Sequence, residues 1–197
     1  MTVFLLSPAR CSGERAEMLA RSKRSELGAK LREGQAPLGD VFAWLSALYF
    51  RGKLAYATRF GEALVMAPGE GLVSPAALIS TKTLRAMGRV EIESPRFTKA
   101  LTQDALTLAE RHSGNVVLLG SIATGKYVDA LLRVFGDRLL FPATFVGRGD
   151  MSRGGLMLRA AKSGEELEYC PVAGANRHGT RPSKLPKLPR ERSIVAS

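Results

Sequence analysis

Residues 115–135, NVVLLGSIATGKYVDALLRVF, constrain the fold more than any other stretch of this chain. Val116 to Leu119 form an apolar run without charge, and Gly120 to Lys126 are small and polar. Tyr127, Val128, Leu131, Leu132 and Phe135 then recur at three- and four-residue spacing. The pattern predicts a buried strand, a tight loop and a helix. In α/β proteins such a loop lies at the carboxyl end of a parallel strand. The free N–H groups of the following helix then face whatever anion sits there.

The loop also meets the first seven positions of the phosphate-loop pattern, from Gly120 to Lys126. The eighth position is Tyr127, where a magnesium-binding hydroxyl of Ser or Thr is required. No later strand supplies an acidic metal partner, since RLLFPATF ends in Thr144 and Phe145. A nucleotide triphosphatase is therefore disfavoured, and the loop is left to hold a DNA phosphate, with Lys126 as counterion, or to connect two elements.

Thr2 to Leu6 reads as a first buried strand, followed by the loop SPARCSGERA and a basic helix from Ala16 to about Leu31. Asp40 is a reasonable N-cap for VFAWLSALYF. Gly52 interrupts the helical pattern, which predicts a kink or two consecutive helices. Ala63 to Met66 is a second short strand, Pro75 to Met87 holds a short helix, RVEIES is a strand or an edge, and Pro95 to His112 is amphipathic. RLLFPATF gives a fourth strand, VGRGDMSRGG a second glycine-rich loop, Leu156 to Lys162 a short helix, and LEYCPV a last extended segment. Strands alternating with helices predict a three-layer α/β/α sandwich with a mainly parallel sheet of about four strands. One α/β domain over residues 1–173 and a basic tail over 174–197, expected to be disordered, account for the length.

Charge decides the partner. The chain has 29 basic and 18 acidic residues, net +11, and a pI near 10.2. Six basic residues face one acidic residue in 174–197, a net +5, so +6 remains on the body. Such a surface attracts nucleic acid. Cys11 and Cys170 lie far apart, and His112 and His178 are the only histidines, so no disulfide framework, zinc site or other metal site is expected. The short apolar N-terminus suits neither a signal peptide nor a membrane span, which predicts a cytoplasmic protein without membrane contact; a monomer is expected.

Parallel strands bring their carboxyl ends together. The first loop, APGEG with Glu70, GSIATGK and GRGDMSRGG should thus converge on one crevice. Ser7, Arg10 and Glu14 enter it from the first loop, Gly120, Ser121 and Lys126 from the third, and Arg148, Asp150, Met151 and Arg153 from the fourth. Most aromatics of Asp40 to Phe60 belong to the core, while Tyr49, Arg51 and Lys53, beside the glycine break, are expected in the crevice. Arg148 and Arg153 could grip a sugar-phosphate backbone, and Met151 could enter the base stack. The other reading of that segment is a turn capped by Asp150.

LYFRGKLAYATRFGEALVMAPGEGLVSP, with Leu48-Tyr49, Phe50 to Phe60, Leu64 to Ala67 and Gly71-Leu72-Val73, resembles the matching segment of YaaA-like bacterial domains. The opening FLLSPARCSG also resembles their first strand and loop. That group is similar to the uracil-DNA glycosylase fold, which implies a sheet of four parallel strands whose loops hold double-stranded DNA and receive a flipped base. The Gly-Gln-Asp-Pro-Tyr and His-Pro-Ser motifs of the classical enzymes are missing, which argues against uracil as substrate. The resemblance implies a DNA glycosylase, a hydrolase that needs no cofactor and acts on a modified or damaged base in DNA repair or antiviral defence. Its candidate catalytic carboxylates are Asp40, Glu14 and Asp150, in no order. A non-catalytic nucleic-acid-binding protein is the main alternative, and a phosphate-loop enzyme the third.

Overall fold

A computed structural model describes residues 1–123, 125, 127–183, 185 and 186. The fold is mixed α/β, built on a six-stranded, mostly parallel sheet. Strand β1 (Thr2–Leu6) leads through α1 (Glu14–Arg21), α2 (Glu26–Glu33), the short β2 (Ala36–Pro37) and the long α3 (Leu38–Phe60) into β3 (Gly61–Ala67). Then follow β4 (Gly71–Val73), β5 (Leu78–Ile79), α4 (Thr81–Gly88), α5 (Pro95–Arg111), β6 (Val116–Leu119) and α6 (Val128–Phe135). β7 (Leu139–Pro142), α7 (Asp150–Ser163) and β8 (Tyr169–Pro171) complete the order.

The sheet runs β4-β3-β1-β6-β7-β8. β3, β1, β6 and β7 are parallel, with Phe4 opposite Ala63 on one side and Val117 on the other. The two edge strands are antiparallel, and both are too short for an alternating pattern to show. Every residue of β6 is buried, as are Val3 to Leu6 of β1. A strand covered on both faces has no polar side to alternate with, which is why these two read as unbroken apolar runs.

Local chemistry moves several expected boundaries. The first helix is two: α1 ends at Arg21, and Ser25 starts α2 by accepting a hydrogen bond from the Gly28 N–H. RVEIES forms turns rather than a strand. Asp40 lies within the first turn of α3, whose N-cap is Pro37. GRGDMSRGG is a loop only as far as Gly149, because α7 begins at Asp150.

The break in α3 falls at Ala47 (φ 47°, ψ −126°), not at Gly52. Gly52 lies inside the second half of the helix, where it serves packing. A Cβ there would stand 2.5 Å from the Gly154 carbonyl oxygen, and one on Gly154 would stand 2.6 Å from the Leu48 carbonyl oxygen. The two glycines let α3 and α7 cross backbone to backbone. Beyond the body, Arg177 reaches Asp129 of α6, and the Thr180 carbonyl lies against Gly147. Arg159 of α7 donates to the Pro186 carbonyl.

Candidate functional site

The crossover after β1 runs to β3 on one side, and that after β6 runs to β7 on the other. Right-handed crossovers leaving in opposite directions place their helices on opposite faces of the sheet. They open a crevice at the carboxyl ends of the two strands from which they depart, the position where open α/β sheets take ligands. Here those ends are Ser7, whose N–H donates to the Leu119 carbonyl (3.2 Å), and Gly120. A Cβ on Gly120 would stand 2.7 Å from the Tyr127 hydroxyl and 2.9 Å from Ser7 Cβ. Gly120 is therefore required by the close fit of its neighbours, whether or not a phosphate visits the loop.

Tyr127 replaces the metal-binding hydroxyl of a phosphate loop with one that closes the loop on itself. Its Oη accepts from the Ser121 N–H and donates to the Ser121 carbonyl, both at 3.1 Å. Burial raises its titration, and hydrogen bonds from Ser7 and Ser121 pull it back. Lys126 lies outside the described residues.

Lys53 comes from α3 and is completely buried. Its Nζ donates to the Ser7 carbonyl (2.6 Å) and the Ser7 hydroxyl (2.9 Å), and lies over the rings of Tyr49 (4.3 Å) and Phe50 (4.8 Å). Burial pulls the amine down to about 7, with Asp150 opposing the fall and Arg153 adding to it. A neutral amine still has two N–H groups, which suffice for both Ser7 acceptors.

Tyr49 packs one turn earlier. Burial raises its titration, with the Arg153 guanidinium beside it pulling the other way, and among the described residues its hydroxyl has no well-formed hydrogen bond. An orphaned buried hydroxyl costs about 1–3 kcal/mol, unless a ligand or water completes it. Arg153, from α7, donates through Nε to the Phe145 carbonyl (3.2 Å), stacks on the Phe145 ring, and points Nη1 at Asp150 Oδ1 (3.6 Å). Its side chain is 10% exposed, whereas that of Asp150 is 65% exposed. The carboxyl ends of β1 and β6 thus meet a cluster of buried donors, with the exposed Asp150 carboxylate beside it.

Of the residues singled out in the sequence, Ser7, Tyr49, Lys53, Gly120, Ser121, Asp150 and Arg153 come together. Met151 is exposed at the start of α7, and Arg148 is engaged with the Thr144 carbonyl and the Ser152 hydroxyl. Asp40 and Arg51 instead line a groove of about 1120 Å³ between α3 and α7, on the outer face of α3. Arg10 and Glu14 are exposed around the start of α1. Tyr127 is the member that sequence reasoning passed over. It registered as a departure from the phosphate-loop pattern, although a tyrosine closing such a loop is itself a signal.

Fold and cluster together define an α/β protein with a polar, cationic site at the switch point of its sheet. No family model, curated protein or solved structure matches the chain. Among the described residues, no helix is long and apolar enough to cross a membrane.

Proposed function

We propose that the chain is a DNA glycosylase that hydrolyses the N-glycosidic bond of a modified or damaged base after the base has flipped out of the duplex. The observation that carries this reading is Asp150, an exposed carboxylate beside Arg153 and the buried cluster at the switch point of the sheet. As the bond breaks, its electron pair leaves with the base and positive charge builds on the sugar. The carboxylate stabilises that charge and accepts a proton as water adds to the sugar carbon, and the proton ends on the departed base. Tyr49 offers the base a hydroxyl that has no well-formed hydrogen bond among the described residues. Asp40 and Glu14, outside the cluster, are weaker candidates for the same role.

The parallel run β3-β1-β6-β7 supports this reading, since the resemblance to YaaA-like and uracil-DNA glycosylase-like domains implies four parallel strands. Flipping costs a few kcal/mol, and the net charge of +11 favours the DNA complex in which it occurs.

The test is incubation, without added metal, with duplexes carrying normal, damaged and hypermodified bases, followed by heating in alkali. Strand breaks at one base class, with release of that free base, are expected. Absence of breaks from every duplex, despite salt-sensitive binding, would favour a non-catalytic nucleic-acid-binding protein. One observation speaks for that second reading: Ser7, Tyr49, Lys53, Tyr127 and Arg153 are all buried, so the space at the switch point is largely filled by its own side chains.

A further inference from the structure

A second site lies at the far end of the loop that begins at Ser7. Cys11, Ser12 and Gly13 form one wall of a cavity of about 480 Å³ whose other walls are α1 and α4. Its floor is apolar, from Ala16, Ala20 and Leu84, and its rim carries Arg21, Arg85 and Arg89. The rim also holds one acid, Glu17. That carboxylate takes Arg85 through both oxygens (3.4 and 3.2 Å) and Arg21 at 3.4 Å. Glu17 therefore neutralises one charge of three and holds two guanidinium groups, from different helices, at the same opening.

The Arg89 side chain has no hydrogen bond or ion pair among the described residues. The stripe continues past the cavity, where Lys82, Arg85 and Arg89 follow one another along α4 and its C-cap and border a second hollow of about 320 Å³. Two adjoining hollows along a row of cations fit an extended polyanion better than a single small anion. A cationic rim over an apolar floor matches the alternation of phosphate and sugar in a nucleic-acid strand. The distance also suits: Ser12 lies five positions after Ser7, at most about 18 Å of chain. The Cys11 thiol is no competitor, since it is buried and its titration is pushed up to about 12.

We infer that the hollow between α1 and α4 binds the sugar-phosphate backbone of the DNA strand whose base enters the crevice at Ser7. The inference rests on the DNA-acting reading above, but not on base release. Guanidinium groups hold the phosphates, and Glu17 keeps them in position.

Binding of unmodified duplex, followed by fluorescence anisotropy across a salt series, tests it. The Arg85→Ala/Arg89→Ala double variant should bind more weakly, with the slope of log affinity against log salt reduced by about 0.9 for each phosphate no longer neutralised. Arg133→Ala, an exposed arginine on α6, should behave as the parent, and circular dichroism should show both variants folded. Unchanged affinity and slope in the double variant overturn the inference. So does calorimetric binding of inorganic phosphate, lost in the double variant, when the parent binds no DNA. If DNA binding depends on these arginines while no duplex ever releases a base, the strand site stands and the glycosylase reading fails.

Discussion

Gly52 of α3 and Gly154 of α7 meet so closely that a methyl group on Gly52 would stand 2.5 Å from the Gly154 carbonyl oxygen. This crossing brings Tyr49 and Lys53 of one helix to Arg153 and Asp150 of the other. Gly52→Ala should destabilise the fold by ~1–3 kcal/mol, the usual cost of overpacking, and Gly154→Ala should do the same. Because both changes force the same two backbones apart, the double variant should lose less than the sum. Gly155 supplies the contrast, since a Cβ there meets nothing nearer than Leu185 at 3.9 Å. Gly155→Ala should therefore be neutral or stabilising. Urea titrations read all four variants, and a harmless Gly52→Ala would mean that the helices do not cross this tightly.

The same crossing explains what the sequence made legible and what it hid. Val116 to Leu119 and Val3 to Leu6 declared themselves as strands because burial on both faces leaves no polar position to confuse the pattern. The start of α7 was hidden, since Arg-Gly-Asp-Met-Ser-Arg-Gly-Gly carries the residues of a loop. Its glycines answer instead to a neighbouring helix, information held in the tertiary contact and absent from the local pattern. Gly52 misled for the same reason. The meeting of Ser7, Ser121 and Arg153 follows from parallel-strand logic, whereas Lys53 was expected beside them because of a break at Gly52 that falls at Ala47 instead. That Arg51 turns outward while Tyr49 and Lys53 turn inward depends on where the helix breaks, which nothing in the local pattern reveals.

The break itself should be improvable. Ala47 holds a positive φ of 47° in a region that side chains rarely adopt, at a cost of order 1–3 kcal/mol. Glycine meets no such penalty but loses more freedom on folding. Ala47→Gly should therefore gain about 1 kcal/mol net in chemical denaturation. A loss of that size would show that α3 runs continuously through position 47.

Lys53 should give the protein an unusual pH profile. Its folded value near 7 lies below the ordinary 10.5. Between those limits the unfolded chain holds a proton that the folded one lacks, so stability rises with pH from about 7, by at most ~1.4 kcal/mol per pH unit. Cys11 acts in the opposite sense, because its folded value of about 12 exceeds the ordinary 9.0 and the folded chain keeps the extra proton above pH 9. Stability should climb from pH 7 to 9, level off as the two oppose, and fall above 10.5, with Tyr49 adding to the fall. Lys53→Met should remove the climb, and Cys11→Ala should lessen the fall. Urea midpoints measured from pH 6 to 11 check this, and a parent protein with no rise between 7 and 9 would mean that Lys53 stays charged in its buried place.

Asp150 carries the chemical proposal, and its test must separate chemistry from affinity. Asp150→Asn keeps the size and hydrogen-bonding reach of the side chain while removing its charge. Base release should fall by ~10²-fold or more, as when a group that stabilises developing charge is lost, while binding of unmodified duplex should change by less than about twofold, because a carboxylate makes no attractive contact with phosphate. Asp40→Asn, in the outer groove beside Arg51, and Glu14→Gln, at the start of α1, should keep the parent rate. Arg153→Lys adds a second reading of the same site. It preserves charge but loses the flat fork that reaches both the Phe145 carbonyl and Asp150, so the rate should fall while the salt slope of binding holds. If Asp150→Asn released base at the parent rate and Asp40→Asn did not, the reacting carbon would have to lie in the groove between α3 and α7, and the switch-point crevice would be left with a structural part only.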